Sequence, residues 1–236
     1  MFQGNDYTKA MLNYHRSASL TFVGNLMEAL NCALEAKELF AEQLNIKRLA
    51  YILFQMAIIY DHRKEFSKSE VLNLRCIKLF SDLNMNDAVN GSYNNLIWSY
   101  ICSFQFEKII NIKEEVLKNT NNDIRILFYI SYTYYKLKNL KEAKKYIKEA
   151  KKNVSLLEDV YFIDMINAFY ILLFGSSYQR KEKYLLKAYK TAKRIETVEV
   201  CIFVLEILKD FYKEHNEYIK CIECFESMME FYKNVK

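Results

Sequence analysis

The sequence predicts an all-α chain, an α-α superhelix built from about six helical hairpins. Three observations carry this prediction. The 236 residues contain no proline and four glycines, whereas a β-rich domain of this size needs many of both to turn its strands. The composition, 52% hydrophobic and 27% charged, fills a core and is too apolar for disorder. The third observation is periodicity in segment 130–150. Ile130, Ser131 and Tyr134 share one face of a first helix, and a polar turn follows at Leu137, Lys138 and Asn139. Leu140, Ala143, Ile147 and Ala150 then share one face of a second helix, whose alanines let a neighbouring helix approach closely.

That alternation of large and small residues resembles the tetratricopeptide repeat (TPR), a helix-turn-helix of about 34 residues. The rest of the chain can be tested against it. Residues 2–10 read as a turn and second helix without a preceding first helix. This predicts a start inside a larger sequence, with an effector domain upstream of a repeat domain spanning 1–236. The turn recurs at Gly24 and Asn25, and Ala29, Ala33 and Ala36 give the next second helix its small-residue face. The stretch 6–22 between them fits the template poorly, with Arg16 near a large apolar position.

The next hairpin places Met56, Ala57 and Tyr60 on its first helix and Phe66, Ser69 and Cys76 on its second. Asn73 stands where the template has a large apolar residue, and Leu72 and Leu74 are expected to fill that space. A polar connector at 84–90 stretches the period. Tyr93, Leu96 and Tyr100 are followed by Phe106, Ile109 and Val116, and from Tyr100 to Tyr134 the register is that of the repeat. A fifth hairpin has its first helix over 157–174 and Leu185, Tyr189 and Ala192 on its second. The sixth has Leu205, Leu208 and Tyr212, then Tyr218, Cys221, Phe225 and Met228. The last helix also carries Ile222, Met229, Phe231 and Tyr232, an apolar end rather than a polar cap, which predicts a homodimer contact.

The net charge of +5 is mild, and lysines sit beside glutamates as on a solvated face. The six cysteines are scattered. Cys221 and Cys224 form a C-x-x-C inside a helical pattern, without a second pair or a nearby histidine. Core thiols are therefore expected, reduced and hence cytoplasmic, with no metal. No apolar run is long enough to span a bilayer and no signal peptide is present, so no membrane partner is expected.

Nothing in the sequence spells catalysis. His15, His62 and His215 fall in three different hairpins, there is no phosphate-binding glycine loop, and no cofactor is expected. What remains is a groove lined by first helices. The TPR register points inward Tyr51, Phe54, Ile58 and Asp61, then Asn94 and Trp98, with Asn95 beside them. It continues with Arg125, Phe128, Tyr132 and Tyr135, and then Phe203, Glu206, Asp210 and Lys213. Asparagine amides donate and accept at once, so Asn94 and Asn95 suit the backbone of an extended peptide. Tyr51, Phe54, Trp98, Phe128, Tyr132 and Tyr135 suit its apolar side chains, and Arg125 suits a carboxylate.

The turns QGNDYTKA and GNLMEAL, the long hairpins, YNNLIWSY and the Lys/Tyr-rich last hairpin resemble the TPR domain of RRNPP-class bacterial quorum-sensing regulators. The resemblance implies a non-enzymatic, cytoplasmic transcription regulator that binds a short signalling peptide in its concave groove. Asn94 and Asn95 would hold the peptide backbone, and DNA would be reached only through an upstream domain. The alternative is a TPR adaptor or scaffold that docks the tail of a partner protein; a third reading is an enzyme accessory or phosphatase-like regulator, since in some members of the class the upstream domain is a helical bundle acting on phosphorylation pathways.

Overall fold

The structure, a computed structural model, describes residues 3–195 and 198–234, with side chains from 6 to 195 and from 198 to 231. Among these residues there is no strand. Twelve α-helices follow one another: α1 (Gln3–Phe22), α2 (Leu26–Glu42), α3 (Ile46–His62), α4 (Phe66–Asp82), α5 (Asn86–Cys102), α6 (Phe106–Asn119), α7 (Ile124–Lys136), α8 (Leu140–Lys152), α9 (Val160–Phe174), α10 (Tyr178–Arg194), α11 (Val198–Glu214) and α12 (Tyr218–Asn234). One 3-10 turn, Val154–Leu156, precedes α9. The chain divides into two compact units, Met1–Tyr129 and Ile130–Lys236, with the division inside α7.

The first unit is governed by one turn, used repeatedly. Gly24, Leu44, Lys64, Asn84 and Phe104 all have left-handed backbone and fall every 20 residues. Each closes a helix in the same way. At Leu44, the Leu44 N–H donates to Ala41 O and the Asn45 N–H to Phe40 O, the paired bonds of a Schellman motif. The same pair recurs at Gly24, Lys64, Asn84 and Phe104, and in the second unit at Lys138 and Asn216. The residue after the left-handed position starts the next helix. Asn25, Asn45 and Asn139 do so with side chains that accept from Glu28 N, Arg48 N and Glu142 N. One turn thus serves as both C-cap and N-cap.

Successive helices pack together along the first unit, and α1 also touches α3, and α3 touches α5. Ala29, Ala33, Ala36 and Ala57 have no exposed surface, as their small-residue pattern predicts. Several expectations are corrected. The described part of 2–10 lies within α1, which pairs with α2, so it is neither a turn nor a second helix; residues 1 and 2 lie outside the described residues. The connector at 84–90 is absent, because Asn84 is the left-handed turn position and α5 begins at Asn86. The longer period comes from longer helices, 17 residues each in α2 to α5 against 13 in α7 and α8. Asn73 is itself fully buried, donating to Ser69 Oγ at 3.1 Å, while Leu74 is 49% exposed. Arg16 avoids the core by pairing with Glu28.

In the second unit Ser131 Oγ donates to Ala143 O at 2.6 Å, and Tyr134 stacks on Tyr146, which joins α7 to α8. Here too some expected core positions face out. Leu140, Tyr218 and Phe225 are largely exposed, and Cys224 with Met228 forms the buried face of α12. The expectation of about six hairpins is met in outline, since the repeats differ in helix length and in the residues they bury.

Each unit contains the same three-helix clasp. Tyr100 Oη (α5) and Lys108 Nζ (α6) both donate to Glu70 of α4, at 2.8 Å and 2.7 Å. Tyr212 Oη (α11) and Lys220 Nζ (α12) both donate to Glu182 of α10, at 3.0 Å and 2.8 Å. The sequence separations match, 30 and 38 residues in both. In each, the ammonium also lies over the tyrosine ring, at 5.1 and 5.4 Å from its centre. Burial alone would raise the pKa of Glu70; the Lys108 ammonium and Tyr100 hydroxyl outweigh it, and the carboxyl is held below its ordinary value.

A left-handed backbone costs a side-chain-bearing residue about 1–2 kcal/mol, partly offset by the greater entropy that glycine loses on folding. Leu44 has φ 52° and is 80% exposed, so its side chain contributes little packing in return. Leu44→Gly is expected to stabilise the protein by about 0.5–1 kcal/mol. Chemical denaturation measures this, and a loss of stability would show that the turn is not under strain.

Candidate functional site

In the first unit the inward positions of α3 and α5 and the start of α7 form a continuous wall. Tyr51 and Phe54 of α3 are half-buried, edge-on to Phe80 at 5.2 and 6.3 Å. Gly91 of α5 brings the backbone against Phe54: a Cβ there would lie 3.6 Å from the ring. Asn94, Asn95 and Trp98 are half-buried further along α5, and Trp98 meets Tyr129 of α7 at 5.7 Å.

The link from α5 to α7 is polar. Asn90 Nδ2 donates to Asp123 Oδ2 at 3.1 Å, and Asn94 Nδ2 donates to Asn90 O and Oδ1 at 3.1 and 3.0 Å. Asp123 Oδ1 in turn accepts from the backbone N–H groups of Arg125 and Ile126, capping α7. This chain leaves two atoms unsatisfied. Asn94 Oδ1 and Asn95 Nδ2, an acceptor and a donor on adjacent residues, have no hydrogen-bond partner although both are screened from solvent. Such groups cost about 1–3 kcal/mol each. Arg125 is half-buried at the start of α7, and Phe128 is fully enclosed, as packing rather than surface.

Asn90 and Asp123 are missed by the sequence reading, which places Asn90 in a connector. The signal was available: Asn90 and Asn94 are four residues apart, on one helix face.

Asp61, at the end of α3, stands in a second polar cluster with Ser69 and Asn73 of α4 and Ser99 of α5. Ser69, Asn73 and Ser99 are buried. Burial pushes the Asp61 carboxyl up to about 6, with the Ser99 and Ser69 hydroxyls pulling it partly back. Asp61 Oδ1, Asn73 Oδ1 and Ser99 Oγ each lack a well-formed hydrogen bond.

The second unit treats its inward positions differently. Tyr132 packs on Phe169 and Phe203 with centroids 6.0 and 4.6 Å apart, and Tyr135 meets Phe169 at 5.5 Å. Both tyrosines are buried, so α7, α9 and α11 close on one another through aromatic rings. Lys136 Nζ donates to Asp210 Oδ2 at 2.6 Å across the same junction. Burial, then the Glu214 and Asp210 carboxylates, push the Tyr135 phenol well above its ordinary value. Above this core lies a cleft of about 390 Å³ lined by Lys136, Lys138, Asp210, Lys213 and Glu214. Of the sixth-hairpin positions expected to face inward, Asp210 and Lys213 line the cleft and Phe203 is buried.

Among the described residues no group of His, Cys, Asp and Glu is arranged to hold a metal, and no helix is long and apolar enough to cross a membrane. All six cysteines are free thiols. Burial raises Cys224, in the C-x-x-C, to about 11, so it stays protonated at neutral pH.

The all-helical fold is shared with two solved structures. The crystal structure of aspartyl phosphate phosphatase F from Bacillus subtilis superposes with a TM-score of 0.83 over 95% of this chain, at 14% identity. This chain spans 60% of that protein's length. The apo form of RapI superposes with a TM-score of 0.79, at 14% identity, over 97% of this chain and 85% of that one. No family profile and no curated protein sequence matches the chain.

The Asp61 geometry has a measurable consequence. Its folded pKa of about 6 lies above the ordinary 3.8, so the folded state holds the proton more tightly than the unfolded state. Stability is therefore greatest at low pH with respect to this group and falls as pH rises from about 4 through 6. Asp61→Asn is expected to remove that slope and to gain roughly 3 kcal/mol at neutral pH. Urea denaturation at several pH values tests it; an unchanged pH profile in the variant would refute the buried-carboxylate account.

Proposed function

We propose that residues 1–236 form one TPR-like solenoid, the ligand-sensing domain of a cytoplasmic transcriptional regulator that binds a short linear peptide. The observation that carries this reading is the pair of orphaned amide atoms on Asn94 and Asn95 of α5, the helix that also carries Trp98 and sets Gly91 against Phe54. A peptide main chain presents an N–H and a C=O at each residue, the complement of one free acceptor and one free donor. Small rotations of the two amides would exchange two unsatisfied atoms for two hydrogen bonds. Arg125, at the start of α7, is the candidate for holding a carboxylate of the peptide.

A peptide seated on α3, α5 and α7 together would favour one relative setting of these helices over others. That population shift is the means by which binding is read elsewhere in the protein. The name of one structural neighbour records phosphatase activity. For this chain we favour binding over catalysis, because the polar groups on the wall are amides and a capping carboxylate rather than a nucleophile with its base. Docking of a partner protein's tail on the same wall is the second reading.

To test the wall, peptides selected from a randomised display library on the native protein are titrated by calorimetry. Asn94→Ala and Asn95→Ala are each expected to weaken binding about tenfold, the equivalent of one hydrogen-bonded pair. Unchanged affinity in both would exclude the wall as the site. The same domain is proposed to form a homodimer through α12, where Tyr218, Ile222, Phe225 and Met229 make an exposed apolar stripe. Light scattering should give the dimer mass, and Ile222→Glu with Phe225→Glu the monomer; a monomeric native protein at high concentration would rule the dimer out.

A further inference from the structure

The mild net charge conceals a sharp division. Residues 1–129 carry 14 Lys and Arg against 14 Asp and Glu. The helices α8 and α10 alone hold 13 Lys and Arg against three glutamates, Glu142, Glu149 and Glu182. By contrast α2, also the second helix of its hairpin, carries four glutamates and one lysine. A genome-wide preference for lysine would enrich every outward face alike, so this concentration needs another cause.

The basic residues are placed as well as abundant. On α10, Arg180, Lys183, Lys187, Lys190 and Arg194 recur at intervals of three and four residues, and all five are exposed. They form one stripe about 21 Å long. It points away from the buried face made by Leu185, Ala188 and Ala192. On α8, Lys141, Lys145, Lys148 and Lys152 form a second exposed stripe, opposite buried Ala143, Ile147 and Ala150. Both helices pack on α9.

The acids on α8, α9 and α10 are already engaged. Glu142 pairs with Lys145, Glu149 with Lys152, Asp164 with Lys187 and Glu182 with Lys220. Arg180, Lys183, Lys190 and Arg194 have no ion-pair partner among the described residues.

We infer that the basic stripes of α8 and α10 are a docking surface for the phosphodiester backbone of a duplex nucleic acid. Charge complementarity favours a polyanion, and the absence of apolar anchors selects among polyanions. A protein interface is built around buried aromatic or aliphatic anchors. The exposed large apolar residues between 140 and 195 are Leu140, Leu156, Val160 and Ile195, none of them on either stripe. A membrane-surface helix likewise needs an apolar face to insert, and that of α10 is spent on the core. A duplex needs only rigidly spaced cations, because its affinity comes largely from release of counterions. Binding here is sequence-independent and separate from the wall on α3, α5 and α7, so it stands or falls independently of the peptide reading.

The test is fluorescence anisotropy of the full chain with mixed-sequence duplexes of about 20 base pairs, one DNA and one RNA. Binding should weaken about a hundredfold between roughly 50 and 200 mM salt, as expected for four or so phosphate contacts. The variant Arg180→Gln, Lys183→Gln, Lys190→Gln, Arg194→Gln should lose most of the binding and most of the salt dependence, with an unchanged thermal melt. Lys37→Gln with Lys47→Gln in the first unit should bind as the native protein does. The proposal is overturned if neither duplex binds at the lower salt, or if the fourfold variant binds like the native chain. Capture by phosphatidylglycerol vesicles with neither duplex bound would overturn it in favour of a lipid surface.

Discussion

The left-handed turn position is the constraint on which the first unit depends. A helix that ends in a Schellman motif must put one residue into backbone that only glycine enters freely. This chain pays that cost at Leu44, Lys64 and Phe104, less at the more tolerant Asn84, and escapes it at Gly24. In return, each reversal takes three residues, and the side chain that follows can cap the next helix at once. Neighbouring helices are thereby forced antiparallel and close, which is why alanine and serine recur at their crossings. The wall of α3, α5 and α7 follows from the same spacing, since every second helix returns to the same side.

Polar groups inside this frame are distributed unevenly, and the contrast separates support from site. In the Tyr–Glu–Lys clasps each tyrosine hydroxyl and each ammonium donates to the central carboxylate, and they tie three consecutive helices. The amides of Asn94 and Asn95, and the cluster around Asp61, are incompletely matched although partly or wholly screened from water. Folding alone gains nothing from an unpaired buried amide. Such groups persist where something other than stability holds them, and here both lie along helices of the same wall.

The all-helical class was legible because proline and glycine are so scarce and because small residues repeat with helical spacing. Positions set by that spacing, such as Ala29, Ala143 and Tyr100, are buried as expected. The boundaries were less legible. The stretch around Asn84 to Asn90 is polar enough to pass for a loop, yet a tight turn needs only Asn84, and the other asparagines continue into α5. Phe128, Tyr132 and Tyr135 sit at inward template positions, but inward means open only where no further helix closes over it. For Tyr132 and Tyr135 that closure comes from Phe169 and Phe203, 34 to 71 positions away, and has no local signature. The chain of contacts through Asp123 was hidden for the same reason: capping is local, whereas its partner Asn90 is a full helix pair distant.

The change from 17-residue to 13-residue helices carries a consequence for how this architecture can vary. Four residues advance a helix by about 400°, or one revolution and a small remainder, and shorten it by about 6 Å. The buried stripe therefore stays in phase while the layer becomes shallower. Removing one or two residues would instead swing every later side chain by about 100° or 200° and expose the core. A change of four residues thus keeps the contacts between neighbours, as between α5 and α7. The depth of the surface offered along the chain can be altered in steps of a helical revolution, without redesigning the contacts between neighbours.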